Sequence, residues 1–173
     1  FVIMSKKTEL TEFILSYLNN SCETETKISI GDSWVLFSKE ANDTSLDFKT
    51  YEPVICIIVQ GEKEVISSEE VICVSVGQTI IITHDIHLQA RIKVNEINKP
   101  YVAVIIPIDV EKLRKIAVKM SFQGQVEQKL TAINVGNTSH ELEEAVLRYL
   151  KLLNRPQEVN VLATSILREI YFR

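Results

Sequence analysis

Tyr51-Glu52-Pro53-Val54-Ile55-Cys56-Ile57-Ile58-Val59-Gln60-Gly61-Glu62-Lys63-Glu64-Val65-Ile66 opens the stretch, running on to Val94, whose reading decides the fold. It holds short apolar runs separated by polar turns, each too short for a helix. Val54 to Val59 is continuous and rich in β-branched residues, which suit a pleated, packed surface. Gln60-Gly61-Glu62-Lys63 supplies a turn, the chain returns through Glu64, Val65 and Ile66, and Ser67 to Glu70 turns it again. Val71 to Val74 makes the next strand and Gly77-Gln78 a third turn. Thr79 to Thr83 follows, with three consecutive isoleucines that point to burial on both faces. After His84-Asp85 the pattern alternates, Leu88, Ala90, Ile92 and Val94 against Gln89, Arg91 and Lys93, the period of a strand with one wet face. The reading is an antiparallel meander. Strands so short and close leave no room for crossover helices, so a sandwich or small barrel is expected.

Composition agrees with one domain. The chain has 173 residues, of which 46% are hydrophobic, enough for a core that buries roughly 70% of the unfolded surface. A net charge of −4 and the absence of a basic stripe argue against a nucleic-acid surface, because phosphate binding relies on clustered Lys and Arg. No apolar run approaches the roughly 20 residues that span a bilayer and no leader pattern opens the chain, so a soluble, cytoplasmic protein without a membrane partner is expected. Phe1-Val2-Ile3 precede Met4 and read as a cloning remnant over 1–3. Cys22, Cys56 and Cys73 lack the spacing of a zinc site or redox pair and read as free thiols. If the Gln60 turn pairs Val59 with Glu64 and the Ser67 turn pairs Ile66 with Val71, Cys56 and Cys73 point to opposite faces and form no disulfide.

The flanks are simpler. Leu10, Phe13, Ile14, Tyr17 and Leu18 are spaced three and four apart, predicting an amphipathic helix from Thr8, its N-cap, to Asn19. Lys27 to Phe37 reads as strands around a Gly31-Asp32 turn, and Ser38 to Ser45 as a loop. Asn95 to Pro100 is a turn. Tyr101 to Ile108 is an apolar strand whose Pro107 marks an edge or an end. Asp109 then caps a helix whose apolar face is Val110, Leu113, Ile116, Ala117 and Met120. Gln123 to Thr131 is a hairpin or loop. Thr138 and Glu141 form a capping box for a helix continuing through Leu152 and Leu153. Asn154-Arg155-Pro156 breaks it, and a last helix starts at about Val159. The apolar stripes of these two helices exceed what each helix needs for itself. Packing on the barrel and dimerisation are equally open, with Leu142, Val146, Tyr149, Leu153, Leu162, Ile166 and Ile170 as the dimer candidates.

Catalytic signatures are missing. There is no nucleophile elbow, phosphate-binding glycine loop or Cys/His pair, so no catalytic residue is nominated. His84 and His87 flank a turn without a third ligand, short of what zinc or iron requires, and no metal or cofactor is assigned. His140 falls in the first turn of a helix and reads as solvated. Glu62 and Glu64 around Lys63, and Glu69-Glu70, read as solvated turn charges. Trp34, Tyr51 and Tyr101 each border a strand and carry a polar tip, the kind of aromatic that lines an internal cavity. Strand parity adds Cys56, Ile58, Ile82 and His87 to a candidate ligand-binding set.

Several of these landmarks together resemble one known family. They are Tyr51-Glu52-Pro53, the strand ending Gln60-Gly61-Glu62-Lys63, Gly77-Gln78, and Pro100-Tyr101, then Leu147-Arg148-Tyr149-Leu150-Lys151-Leu152-Leu153 with Pro156, and Ile166-Leu167-Arg168-Glu169-Ile170-Tyr171. From Phe48 to Arg173 the chain resembles the N-terminal regulatory domain of AraC-type transcriptional regulators. The resemblance implies a fold that is mainly β with flanking helices: a cupin-like antiparallel β-barrel or jelly roll with an N-terminal helix over 4–134, then a C-terminal helical pair over 135–173. It also implies a small-molecule effector, a homodimer, and a helix-turn-helix DNA-binding domain beyond Arg173, through which alone DNA is contacted. His84-Asp85-Ile86-His87 departs from the family pattern, which has an Asp and a Pro-containing turn there. The competing class is a cupin-type enzyme, a metal-dependent oxygenase or sugar isomerase, which would need metal ligands at the two histidines. A stand-alone interaction protein with a filled barrel is the third.

Overall fold

The computed structural model describes residues 9–19, 24–31, 33–66, 70–94, 99–121 and 133–172. In chain order they form α1 (Glu9–Leu18), β1 (Glu25–Ile30), β2 (Ser33–Glu40), β3 (Asp47–Tyr51), β4 (Val54–Gln60), β5 (Glu62–Ile66), β6 (Val71–Val74), β7 (Gln78–Ile82), β8 (Ile86–Lys93), β9 (Tyr101–Pro107), α2 (Val110–Ser121), β10 (Ile133–Asn137), α3 (His140–Lys151), a 3₁₀ turn (Leu152–Asn154) and α4 (Pro156–Phe172). One sheet has the order β1-β2-β9-β4-β7-β10 and the other β3-β8-β5-β6, with every pairing antiparallel. Without the edge strands β1 and β10, strands β2 to β9 distribute themselves as the two facing four-stranded sheets of a jelly roll, the cupin architecture.

The meander reading fails at Gly61. Val59 does not pair with Glu64: β4 pairs with β7 and β9, while β5 crosses to the second sheet and pairs with β6 and β8. The crossing needs a left-handed residue in a tight space. Gly61 has φ +85°, and a Cβ there would lie 3.0 Å from Tyr101 Cα and 3.2 Å from the Lys93 carbonyl oxygen. Further on, Ile66 does pair with Val71. Cys56 is buried, Cys73 is exposed, and both are free thiols. Cys22 and the 67–69 turn lie outside the described residues.

Burial follows the sequence periods. The first sheet is covered on both sides: Val35, Phe37, Ile55, Ile57, Val102, Val104 and Ile106 pack under α1, α3 and α4, while Cys56, Ile58, Ile80, Ile82, Tyr101 and Ala103 face the second sheet. Hence β4 and β9 are nearly continuous apolar runs, and β7 carries three consecutive isoleucines. In β8 only Leu88, Ala90 and Ile92 are buried, and Gln89, Arg91 and Lys93 are half-buried on the open side. Each fully buried Leu, Ile or Val contributes about 1.5–3 kcal/mol.

Of the helix starts, that of α2 is as expected and those of α3 and α4 are shifted. Asp109 caps α2, accepting from the backbone N–H groups of Glu111 and Lys112. The N-cap of α3 is Ser139, whose hydroxyl accepts from the Leu142 N–H at 3.1 Å. Thr138 cannot cap, because its hydroxyl pairs with that of Thr79 at 2.6 Å and its N–H donates to the Gly77 carbonyl. That pairing closes β10 against β7, a strand the sequence hides: Ile133-Asn-Val-Gly-Asn has little apolar content and its Val135 is exposed. Further along, α4 begins at Pro156, where a missing N–H costs nothing. Pro107 ends β9, a central strand. The expected Thr8 cap, the Asn95 turn, most of the 123–131 segment's surroundings and the segment itself, and the Leu113, Ile116, Ala117 and Met120 side chains lie outside what is described. No helix among the described residues is long and apolar enough to cross a membrane.

Candidate functional site

A cavity of about 460 Å³ lies between the sheets, within the size range of small-molecule pockets. Parity assigns its wall. From the first sheet come Trp34, Leu36 and Ser38 of β2, Val54 and Cys56 of β4, Ile80 and Ile82 of β7, and Tyr101, Ile105 and Pro107 of β9. The second sheet supplies Tyr51, Lys63, Val65 and Ile92, and Glu25, Lys49, Thr50 and Glu52 stand at exposed positions around it.

Lys63 is the unexpected member. In β5 the parity that turns Val65 inward also turns Lys63 inward and sends Glu64 outward. Lys63 is only 7% exposed. Its Nζ sits over the Tyr51 ring, 4.8 Å from the centroid, a cation–π contact. The Tyr51 hydroxyl is buried without a hydrogen-bond partner. Burial works against the Lys63 ammonium, but the Cys56 and Tyr51 side chains beside it outweigh that and hold its pKa above the ordinary lysine value. Burial pushes the Cys56 thiol up, against the opposing pull of Lys63, and pushes Tyr101 well up. Both shifts favour the protonated thiol and the protonated Tyr101 phenol beside the Lys63 ammonium. Glu62 and Glu64 are strand residues, which corrects their reading as turn charges. Glu64 pairs with Arg91 and, at 2.6 Å, with Lys93 on the outer face. Those hydrogen bonds hold its carboxyl down at about 2.

Five of the sequence-nominated residues meet at this cavity: Trp34, Tyr51, Cys56, Ile82 and Tyr101. Ile58 packs in the same inner core, away from the wall. His87 is exposed and hydrogen-bonds the Thr50 hydroxyl at 2.8 Å, whereas His84 bonds Thr83. Among the described residues no three His, Cys, Asp or Glu side chains gather as metal ligands would. His140 is exposed and pairs with Glu144 at 2.9 Å. Lys63 and Pro107 were missed by sequence reasoning. Counting parity outward from Val65 would have found Lys63.

Below this cavity, toward the helices, a second one of about 260 Å³ is lined by Ser33, Lys112, Tyr149, Thr164, Leu167 and Tyr171 among others, and it shares Trp34 and Pro107 with the first. Tyr149 is fully buried, its hydroxyl lacks a partner, and burial pushes it up to about 12. The Tyr171 hydroxyl donates to the Pro107 carbonyl at 2.8 Å and accepts from the Asp109 N–H at 3.1 Å, fastening α4 to the end of β9. Of the dimer candidates, Leu142, Val146, Tyr149 and Ile170 are buried in the chain's own core, and Leu153 and Ile166 pack partly against it. Leu162 is 40% exposed, beside Val161 at 74%.

A family model described as AraC-type transcriptional regulator N-terminus matches residues 34–173. No curated protein matches the chain. Among solved structures, the AraC-like transcriptional activator CuxR superposes with a TM-score of 0.51 at 12% identity, covering 85% of this chain and 52% of that one. An apo variant of ToxT from Vibrio cholerae gives a TM-score of 0.53 at 9% identity, covering 83% and 55%. The chain thus spans about half the length of the solved chains it resembles.

Proposed function

The chain belongs to the family of AraC-type transcriptional regulator N-termini, and from that premise we propose that its jelly roll senses a small molecule for a cytoplasmic regulator acting by binding rather than catalysis. The observation that carries the proposal is the cavity between the sheets, whose inner wall is largely apolar and holds one buried lysine, Lys63. An ordinary core would be filled, since interiors pack at crystal-like density. In this proposal DNA is bound by a part of the regulator outside this chain, which fits a net charge of −4. Two copies associate through α4, where Val161 and Leu162 remain exposed after intramolecular packing has used the rest of the stripe. Effector binding reaches α4 through Pro107, which lines the cavity and is held by Tyr171. Only the difference in effector affinity between the two arrangements of that joint can shift their populations.

A thermal-shift screen of small molecules tests the sensing step. A ligand at 100 times its Kd stabilises the folded chain by about 2.7 kcal/mol. The shift is expected in the wild type and not in Ile80→Phe, whose larger side chain fills the cavity. Equal shifts in both proteins would place binding elsewhere and sink the proposal.

A further inference from the structure

The smaller cavity, among β2, the end of β9 and the helices α2, α3 and α4, carries polar groups that the fold itself leaves unused. Its volume of about 260 Å³ admits one molecule of roughly nine non-hydrogen atoms, at about 30 Å³ for each water-sized unit. The Tyr149 hydroxyl stands in its wall, fully buried and without a hydrogen-bond partner. Ser33 opposes the burial that raises the Tyr149 pKa, yet completes no hydrogen bond with it. A buried hydroxyl left unsatisfied costs free energy, which a ligand group bonded to it recovers. The rim is charged with both signs. Asp109 caps α2 and is exposed, Lys112 follows three residues on and is half-buried, and both line the cavity from one side of the helix start. Neither forms an ion pair among the described residues, and the Asp109 carboxylate accepts the backbone N–H groups of Glu111 and Lys112 through Oδ1 alone. A simple anion would meet Asp109 as well as Lys112, and a simple cation Lys112 as well as Asp109. A compact molecule carrying both charges meets each with its opposite. Ile30, Trp34, Ala163 and Leu167 supply the apolar wall around it.

We infer that this cavity binds a free α-amino acid with a short polar side chain, its carboxylate on Lys112, its ammonium on Asp109 and its side chain reaching the Tyr149 hydroxyl. The site is separate from the barrel cavity and does not depend on the sensing proposal. Charge-assisted hydrogen bonds at both charges make recognition require the two together, since a molecule lacking either leaves one rim charge unanswered. Tyr149 selects the side chain: a polar one satisfies the hydroxyl, and an apolar one of the same shape leaves it unpaired. The bound amino acid also touches the joint of the molecule. The Asp109 N–H donates to the Tyr171 hydroxyl, whose own proton goes to the Pro107 carbonyl, so the ligand stands where α4 is fastened to the barrel.

Isothermal titration of the chain Phe1–Arg173 with L-serine, L-threonine and L-asparagine tests this. The controls are N-acetyl-L-asparagine, which lacks the ammonium, L-asparagine amide, which lacks the carboxylate, and L-leucine, which has the shape of asparagine without its polarity. Asparagine is expected to bind roughly 10- to 100-fold more tightly than either blocked form and about 3- to 10-fold more tightly than leucine. Lys112→Gln and Asp109→Asn, the second of which keeps the helix cap, are each expected to weaken it roughly 10-fold or more. Tyr149→Phe is expected to erase the preference over leucine, and Ile80→Phe, which fills the barrel cavity, to leave the titration as in the wild type. Blocked forms binding as tightly as asparagine, an affinity that survives both charge substitutions, a preference over leucine that survives Tyr149→Phe, or a titration lost in Ile80→Phe overturns the inference. So does the absence of binding by all three amino acids. The sensing proposal, read at the barrel cavity, stands in each of those cases.

Discussion

Lys63 is an inward-facing cation in a strand whose other charges face out. Its ammonium lies over the Tyr51 ring, and the Cys56 and Tyr51 side chains outweigh the burial that works against it. Lys63→Met loses the cation–π contact and is therefore expected to lower the midpoint of denaturant melts, at a cost of about 0.5–2 kcal/mol in stability. A higher midpoint would show that desolvation of the ammonium outweighs that contact. Glu64, on the other face of the same strand, predicts the opposite response to pH. Its carboxyl is held at about 2 against an ordinary 4.5, so its contribution is present above 4.5 and is lost as pH falls through about 2. Glu64→Gln should lower the melting temperature at neutral pH and flatten the acid limb of the profile between those values. A wild-type acid limb that Glu64→Gln leaves unchanged would refute the assignment. At this scale the sequence revealed the aromatic rim and the inward cysteine, since Trp34, Tyr51, Cys56 and Tyr101 follow from strand parity and polar tips. Lys63 stayed hidden because three charges after a glycine look like a turn.

The strands were legible from their periods, and the sheet each belongs to was not. Apolar runs in β4, β7 and β9 announced burial on both faces, yet a hairpin and a crossing between sheets share the same local signature, Gly after a polar residue. What separates them is the space at Gly61, where Tyr101 and the Lys93 carbonyl close in. Gly61→Ala is expected to destabilise the chain by roughly 1–3 kcal/mol, from the positive φ together with the clash, and a chemical melt indistinguishable from wild type would contradict that. At the start of α3, the pattern Thr138 to Glu141 named a cap one residue early, because the hydroxyl of Thr138 is taken by Thr79 across the β10 pairing. Ser139→Ala should cost about 1 kcal/mol, measurable by urea unfolding. Thr138→Ala acts on the β7–β10 edge instead, so amide exchange should quicken in Ile133–Asn137 before it does in α3.

Across the whole molecule, the helical stripes that could equally have served a dimer are largely consumed by the outer face of the first sheet. Amphipathicity reports that a helix has an apolar face and is silent about what covers it; the burial of Leu142, Val146 and Tyr149 in one core with residues of β2, β4 and β9 answers that. What remains exposed on α4 is Val161 with Leu162. Replacing both by Lys is expected to leave the fold intact and to shift sedimentation from dimer to monomer if copies associate there. The joint between Tyr171 and Pro107 ties that helix to the cavity wall. Tyr171→Phe removes both hydrogen bonds and is expected to cost roughly 1–3 kcal/mol, since the Pro107 carbonyl and Asp109 N–H lose a partner.

Trp34 is the only tryptophan of the chain and stands in the wall of the barrel cavity. Its fluorescence, titrated in the wild type and in Cys56→Phe with the molecules that raise the melting temperature in the thermal-shift screen, reports directly on whether small molecules enter. A saturable change in the wild type that disappears when the phenylalanine fills the barrel is the result expected of an effector-sensing cavity. An emission that does not move, or one that moves equally in both proteins, would contradict it.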